Sequence, residues 1–228
     1  MSDALKKFPR RPRHAASLIL YRKPKRGSVE IVMGRRDTRT RFMPSVYVFP
    51  GGRVDVGDWH APEATPLRDH VMARLTRRCS PGRARAHAMA AVRETFEEAG
   101  LILGEPTRDQ NSGPPSWQHF FETGYSPALH RLDYLGRALT PSNRPIRYDA
   151  RFFIADGTET EGNFGGNGEL HDLQWVAVDH AHDLPLPSVT THMLLEIERY
   201  MANQPKKGDD WQVSFFSHRR GRFYHHYE

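Results

Sequence analysis

Three carboxylates fall within five residues in the run Arg93-Glu94-Thr95-Phe96-Glu97-Glu98-Ala99-Gly100-Leu101. On an α-helix each residue advances about 100°, so with Glu94 at zero, Glu98 lies near about 40° and Glu97 near about 300°. All three then share one arc. Ala88, Met89, Val92, Phe96 and Ala99 fall at roughly 120–220°, on the opposite side. Arg85 falls there too, so the buried stripe is expected to start after it. The pattern predicts a helix with one face that packs and another that concentrates negative charge. Carboxylates this close repel one another unless cations sit among them. Hard divalent ions that take oxygen ligands, Mg²⁺ above all, suit such a cluster. The competing reading is a solvated acidic face, since charge runs on helices are ordinary.

An upstream segment separates the two readings. Val46-Tyr47-Val48-Phe49 reads as a buried strand that stops at Pro50-Gly51-Gly52. Proline ends a ladder, and paired glycines let the backbone turn and approach a ligand closely. With these residues the chain resembles the Nudix hydrolases, whose signature runs G-x5-E-x7-R-E-U-x-E-E-x-G-U, where U is a bulky apolar residue. Gly52 fits the opening glycine, and Asp58 stands where the signature has its first glutamate. Arg93, Glu94, Glu97, Glu98, Gly100 and Leu101 fit the second half. Thr95 occupies an apolar position, a mild change because a buried threonine can bond back along its helix. The spacing departs further: 34 residues separate Asp58 from Arg93 where the signature has seven, an insertion of 27. A loop and a helix that meet in space survive such an insertion, but the role of Asp58 is left open by it.

A narrower likeness lies in Arg35-Arg36-Asp37 and Arg41 to Gly52, which resembles the coenzyme A diphosphatase branch of that family. Ser45 and Tyr47 replace its expected glycine and valine.

The resemblance implies an α/β fold, a Nudix-type α/β/α sandwich with a mixed β-sheet between helices. It implies Mg²⁺- or Mn²⁺-dependent hydrolysis of a nucleoside diphosphate linked to another moiety. Coenzyme A or an acyl-CoA is the narrower expectation, and ADP-ribose, NADH or a dinucleotide are the alternatives. Glu94, Glu97, Glu98 and the Gly51 carbonyl are expected to hold the metal. Arg93 points off the carboxylate arc and is expected to serve the catalytic set by anchoring the loop through a charge-assisted bond. Glu94 is the first candidate for general base, with Glu159, Glu161 and Glu169 as rivals. Arg35, Arg36 and Arg41 could clamp the diphosphate, since guanidinium pairs well with phosphate oxygens, and Gly52 lies beside the substrate.

The 228 residues carry a formal charge of +6 and one cysteine, Cys79. A single cysteine excludes an intramolecular disulfide framework and suits a reducing, cytoplasmic setting. No apolar run approaches the ~20 residues needed to span a bilayer, and no signal core is expected at the N-terminus. Residues 1–14 read as a basic tail and 15–228 as one domain with an insertion at about 59–80. Lys6, Lys7, Arg10, Arg11 and Arg13, with Arg219, Arg220 and Arg222, carry the rival reading of a non-catalytic nucleotide- or RNA-binding module. An intact glutamate set argues against it, so a small nucleoside diphosphate derivative is the expected partner, with neither nucleic acid nor membrane. Dimers are common in the family, which makes a homodimer one expectation. Thirteen histidines show no H-E-x-x-H spacing, so zinc hydrolase chemistry is not expected.

Periodicity places strands at residues 15–21, 30–34, 46–49, 101–103, 132–139, 147–154 and 172–178. Thr65-Pro66 predicts an added helix over 66–77, and Ser80-Pro81 starts the main helix that ends at Gly100. Residues 156–168 hold five glycines and read as a mobile loop. A second long helix is predicted from Ser188 to Met201, and residues 215–227, aromatic and basic, suggest an edge strand or an oligomer contact. The inserted segment and the loop after Ile154 are the expected sources of substrate choice.

Overall fold

The computed structural model describes residues 11–39, 43–108, 113–203, 205, 211–219 and 222–228. In chain order its strands and helices are β1 (Arg13–Arg22), β2 (Glu30–Arg36), β3 (Tyr47–Val48), β4 (Gly51–Arg53), α1 (Asp69–Thr76), α2 (Pro81–Ala99), β5 (Leu101–Ile102) and β6 (Gly104–Pro106). There follow α3 (Gln118–Glu122), β7 (Tyr125–Pro127), β8 (Asp133–Leu139), β9 (Tyr148–Asp156), β10 (Glu161–Gly162), β11 (Leu170–Ala177), α4 (Val178–Ala181) and α5 (Ser188–Asn203). A hairpin, β12 (Ser214–Arg219) and β13 (Arg222–Tyr227), comes last.

A nine-stranded sheet runs β11-β2-β1-β9-β8-β12-β13, with β3 on β2 and β4 on β1. It is mixed: β1 lies parallel to β9 and β12 parallel to β8, while β2, β4 and β13 pair antiparallel. Leu18, Ile19 and Leu20 are consecutive on β1 and all fully buried. Successive strand residues point to opposite faces, so both faces of the sheet are covered there. Helix α2 packs on β1 and β4, and α5 packs on β8 and β12. The fold is therefore the expected α/β arrangement of a large mixed sheet with helices.

Helix α2 begins where the local signals put it. Ser80 accepts a hydrogen bond from the Arg83 N–H, and Pro81 fills the first turn. Gly100 ends it in the left-handed region, with φ 73. Its surroundings correct the picture of one packed face: Ala84, residues 86–93, Thr95, Glu98 and Ala99 are all buried. The sheet, the insertion and the glycine loop wrap it on nearly every side.

The added helix α1 starts three residues later than predicted, at Asp69 with Arg68 in the cap position. The Thr65 hydroxyl is engaged by His130 Nδ1 and its backbone bridges to Ala128, so it caps nothing. Strand β1 begins at Arg13, two residues inside the expected tail, and the 46–49 strand is reduced to Tyr47–Val48. The insertion packs into the core. Val71 and Leu75 are buried in the core, and Arg85 on α2 binds the Glu63 carboxylate and the carbonyls of Asp58 and Ala61.

Candidate active site

Strand β4 carries the glycine loop across α2, because Ala16 on β1 pairs with Gly52. The Gly51 N–H donates to Glu98 Oε2 at 2.7 Å. A Cβ at position 52 would lie 2.4 Å from the Glu94 carboxyl carbon, so only glycine lets the loop close on that side chain. Glu94 and Glu98 stand one turn apart on the same helical face, both against this loop.

Burial sets the electrostatics. Desolvation pushes Glu94 up to about 7, against the pull of Arg93. Glu98, 3% exposed, is pushed up to about 8, again chiefly by desolvation, with the negative charge of Glu94 adding to it. The Gly51 N–H and Arg36 act in the opposite direction on Glu98. No ion pair neutralises Glu98 among the described residues. Two carboxylates held out of water with a raised affinity for protons are a donor set that a hard divalent cation fits.

Arg93 anchors the arrangement. Its Nε and Nη2 reach the two oxygens of Asp58 at 2.8 and 3.1 Å, and Nη2 also donates to the Arg53 carbonyl at 3.0 Å. Asp58 is fully buried and accepts further bonds from Trp117 Nε1 at 2.9 Å and the Asp55 N–H at 2.7 Å. Asp58, whose role the long insertion had left open, is therefore the clamp on Arg93. The role of Trp117 has no signal in the sequence; only the contact shows it, because it lies 59 positions beyond Asp58.

Arg93 also contacts Glu94 Oε1 at 3.0 Å and takes both oxygens of Glu97 through Nη1 at 3.0–3.1 Å. That draws Glu97 aside. Among the described residues the three glutamates do not form a group whose ligand atoms all lie within 4.8 Å of one another. Glu94 and Glu98 thus face the loop together, while Glu97 is turned to Arg93. Thr95 bonds back to the Ala91 carbonyl at 2.8 Å, as its type allows.

The other candidates divide. Arg36 lies within electrostatic reach of Glu98, whereas Arg35, next along β2, points to the opposite face. Arg41 lies outside the described residues, as do residues 1–10 and Arg220. Glu169 is exposed and adds to the negative field at Glu98. Glu159 pairs with Arg131, and Glu161 sits on β10 opposite Ile102. The glycine-rich loop they occupy is tied down, not free: Gly165 and Asn167 donate backbone bonds to the Ala99 and Glu97 carbonyls at the end of α2.

A cavity of about 610 Å³ opens beside the glycine loop. Gly51, Gly52, Arg53 and Arg36 are among the residues that line it. The rest is mainly apolar, with Val48, Phe49, Ile146, Phe152, Val189 and Phe216 among its walls. No residue of the insertion or of the 156–168 loop lines it.

No family model matches the chain. An acyl-coenzyme A diphosphatase of Gallus gallus is 34% identical over a stretch covering 37% of this chain and 29% of the relative. A Caenorhabditis elegans protein assigned to the nudix hydrolases is 28% identical over 78% of this chain and 58% of the relative. The chain thus spans less than two thirds of the length of either. The crystal structure of a Nudix hydrolase from Alicyclobacillus acidocaldarius superposes with a TM-score of 0.58 and 25% identity, covering 84% of this chain and 96% of that one. Among the described residues no helix is long and apolar enough to cross a membrane.

Proposed function

We propose, from the premise that the chain belongs to the Nudix hydrolase superfamily, that it cleaves the diphosphate bond of coenzyme A or an acyl-CoA. The observation that carries this reading is the buried Glu94/Glu98 pair held directly against the glycine loop, with a largely apolar cavity opening from the same loop. Glu94, Glu98 and the Gly51 carbonyl would hold a divalent cation, Mg²⁺ or Mn²⁺. Such an ion neutralises phosphate oxygens and orients the attacking water.

The chain's own groups supply the remainder. Arg36 faces the incoming diphosphate across Glu98 and offers a planar guanidinium to its oxygens. Glu94, or Glu169 from the loop edge, takes the proton of the attacking water. Arg93 stays out of the chemistry; bound to Asp58, Glu97 and Arg53, it fixes α2 against the loop so that the carboxylates keep their separation. The cavity takes the substrate's non-nucleotide arm. Its apolar walls suit a pantetheine or acyl chain better than the second ribose of ADP-ribose, NADH or a dinucleotide. The name carried by the Gallus gallus relative points the same way.

A panel of coenzyme A, acyl-CoA, ADP-ribose, NADH and dinucleotides, assayed with Mg²⁺ and Mn²⁺ and read by product mass, tests the substrate. Release of a phosphopantetheine and an adenosine nucleotide is expected. Turnover of ADP-ribose or a dinucleotide with coenzyme A left intact would overturn the assignment.

A further inference from the structure

His192 and Glu196 stand one turn apart on α5, and His225 reaches the same point from β13. The Nε2 of His225 lies 3.5 Å from Glu196 Oε1, and the Nε2 of His192 lies 3.9 Å from the same oxygen. Ligand atoms of all three fall within 4.8 Å of one another. In a tetrahedral site with bonds near 2.0–2.1 Å, ligand atoms sit roughly 3.3–3.4 Å apart. The two histidine–carboxylate spacings exceed this by about 0.1–0.6 Å, and the imidazole–imidazole spacing, within 4.8 Å, by at most about 1.5 Å, a closure that side-chain rotation can supply. We propose that His192, Glu196 and His225 form a second metal site, for Zn²⁺ or a similar borderline divalent transition ion, that ties α5 to the C-terminal hairpin.

Two imidazoles and one carboxylate favour such an ion over the hard cations expected at Glu94 and Glu98. The surroundings already orient the carboxylate. Arg199 Nε donates to Glu196 Oε2 at 2.8 Å and the Tyr227 hydroxyl to Oε1 at 3.3 Å, while Glu196 itself is only 3% exposed. Outer partners of this kind hold metal ligands in place. The Ser214 hydroxyl, 2.8 Å from His192 Nε2, would give up that bond to the ion. The site also has a structural reach. His192 stacks on Phe216 at 4.7 Å, Phe216 stacks on Phe223 at 5.4 Å, and both phenylalanines line the cavity. An ion here would pin one wall of the cavity.

The competing account is an ion pair between protonated imidazoles and Glu196, with no metal. Full-length protein stripped with a chelator, then titrated with Zn²⁺ against a chromophoric chelator, distinguishes the two. Wild type is compared with His225→Ala and with His226→Ala, the neighbouring control. Zinc taken up at Glu94 and Glu98 is common to all three and cancels in the comparison. Wild type and His226→Ala should bind one equivalent more than His225→Ala, and zinc should raise Tm further in those two than in His225→Ala. Losing an outer partner alone costs about 10–100-fold in affinity, so losing a ligand should cost at least that. Equal stoichiometry and equal Tm shifts in wild type and His225→Ala would overturn the proposal. Should His225→Ala fail to fold, the Co²⁺ form of wild type decides: intense visible bands of tetrahedral Co²⁺ support the site, and their absence overturns it.

Discussion

Gly52 shows how much of the account rests on single atoms. A methyl group there would meet the mobile end of Glu94 rather than backbone, so the chain can accept it by swinging the carboxylate aside. Gly52→Ala is therefore expected to leave Tm nearly unchanged and to lower turnover at least tenfold, a combination read by thermal denaturation beside a diphosphate hydrolysis assay. Glu98 makes a complementary case through protons. Its folded pKa, about 8, stands above the ordinary glutamate value, so the folded state keeps a proton that the unfolded chain releases. Stability from this group is present below the unfolded value and is lost as pH rises through about 8. In chelator-treated protein, wild type should lose stability between about pH 5 and pH 9 relative to Glu98→Gln, which has no proton to release. Mg²⁺ added at the upper end should restore wild type alone. Parallel pH profiles for the two proteins would contradict the burial argument.

At the scale of elements, the segment after the glycine loop is joined to α2 by a buried pair, Asp58 with Arg93, beside the Arg85–Glu63 contact. Removing one partner of such a pair leaves a desolvated charge and typically costs about 3–5 kcal/mol. Asp58→Ala should fall near the lower end, about 3 kcal/mol, because Glu94 and Glu97 remain beside Arg93. Denaturant unfolding measures it, and a loss below about 1 kcal/mol, the range of exposed ion pairs, would show that the clamp does not carry the junction. The elements themselves were largely legible. Ser80-Pro81 and Gly100 are local signals, and nothing distant overrides them. Thr65-Pro66 looked equally local, yet His130 and Ala128 take up Thr65 and delay α1 to Asp69. The glutamate arc was legible for the same helical reason. The turning of Glu97 was not, since it depends on an arginine whose orientation is set by Asp58, 35 positions earlier.

At the scale of the molecule, the glycine loop and α2 were readable as two halves of a site because each carries its own pattern. The cavity beside them was not. Its walls come from residues 138–152, the start of α5 and the C-terminal hairpin, segments that no spacing rule connects. The insertion, the unusual feature of the chain, packs Val71 and Leu75 into the core and holds Arg85 of α2 through Glu63. On the proposed function, substrate choice belongs to the walls of the cavity and catalysis to the helix. The most direct test of that division is Mg²⁺-dependent hydrolysis of coenzyme A by wild type and by Glu98→Gln, with the fold of each verified by thermal denaturation. Loss of a single preorganised charge contact in a site commonly costs about 10²–10³-fold in turnover, and a fall of at least that size with a retained cooperative melt is the expected result. Turnover in Glu98→Gln equal to wild type would contradict the account.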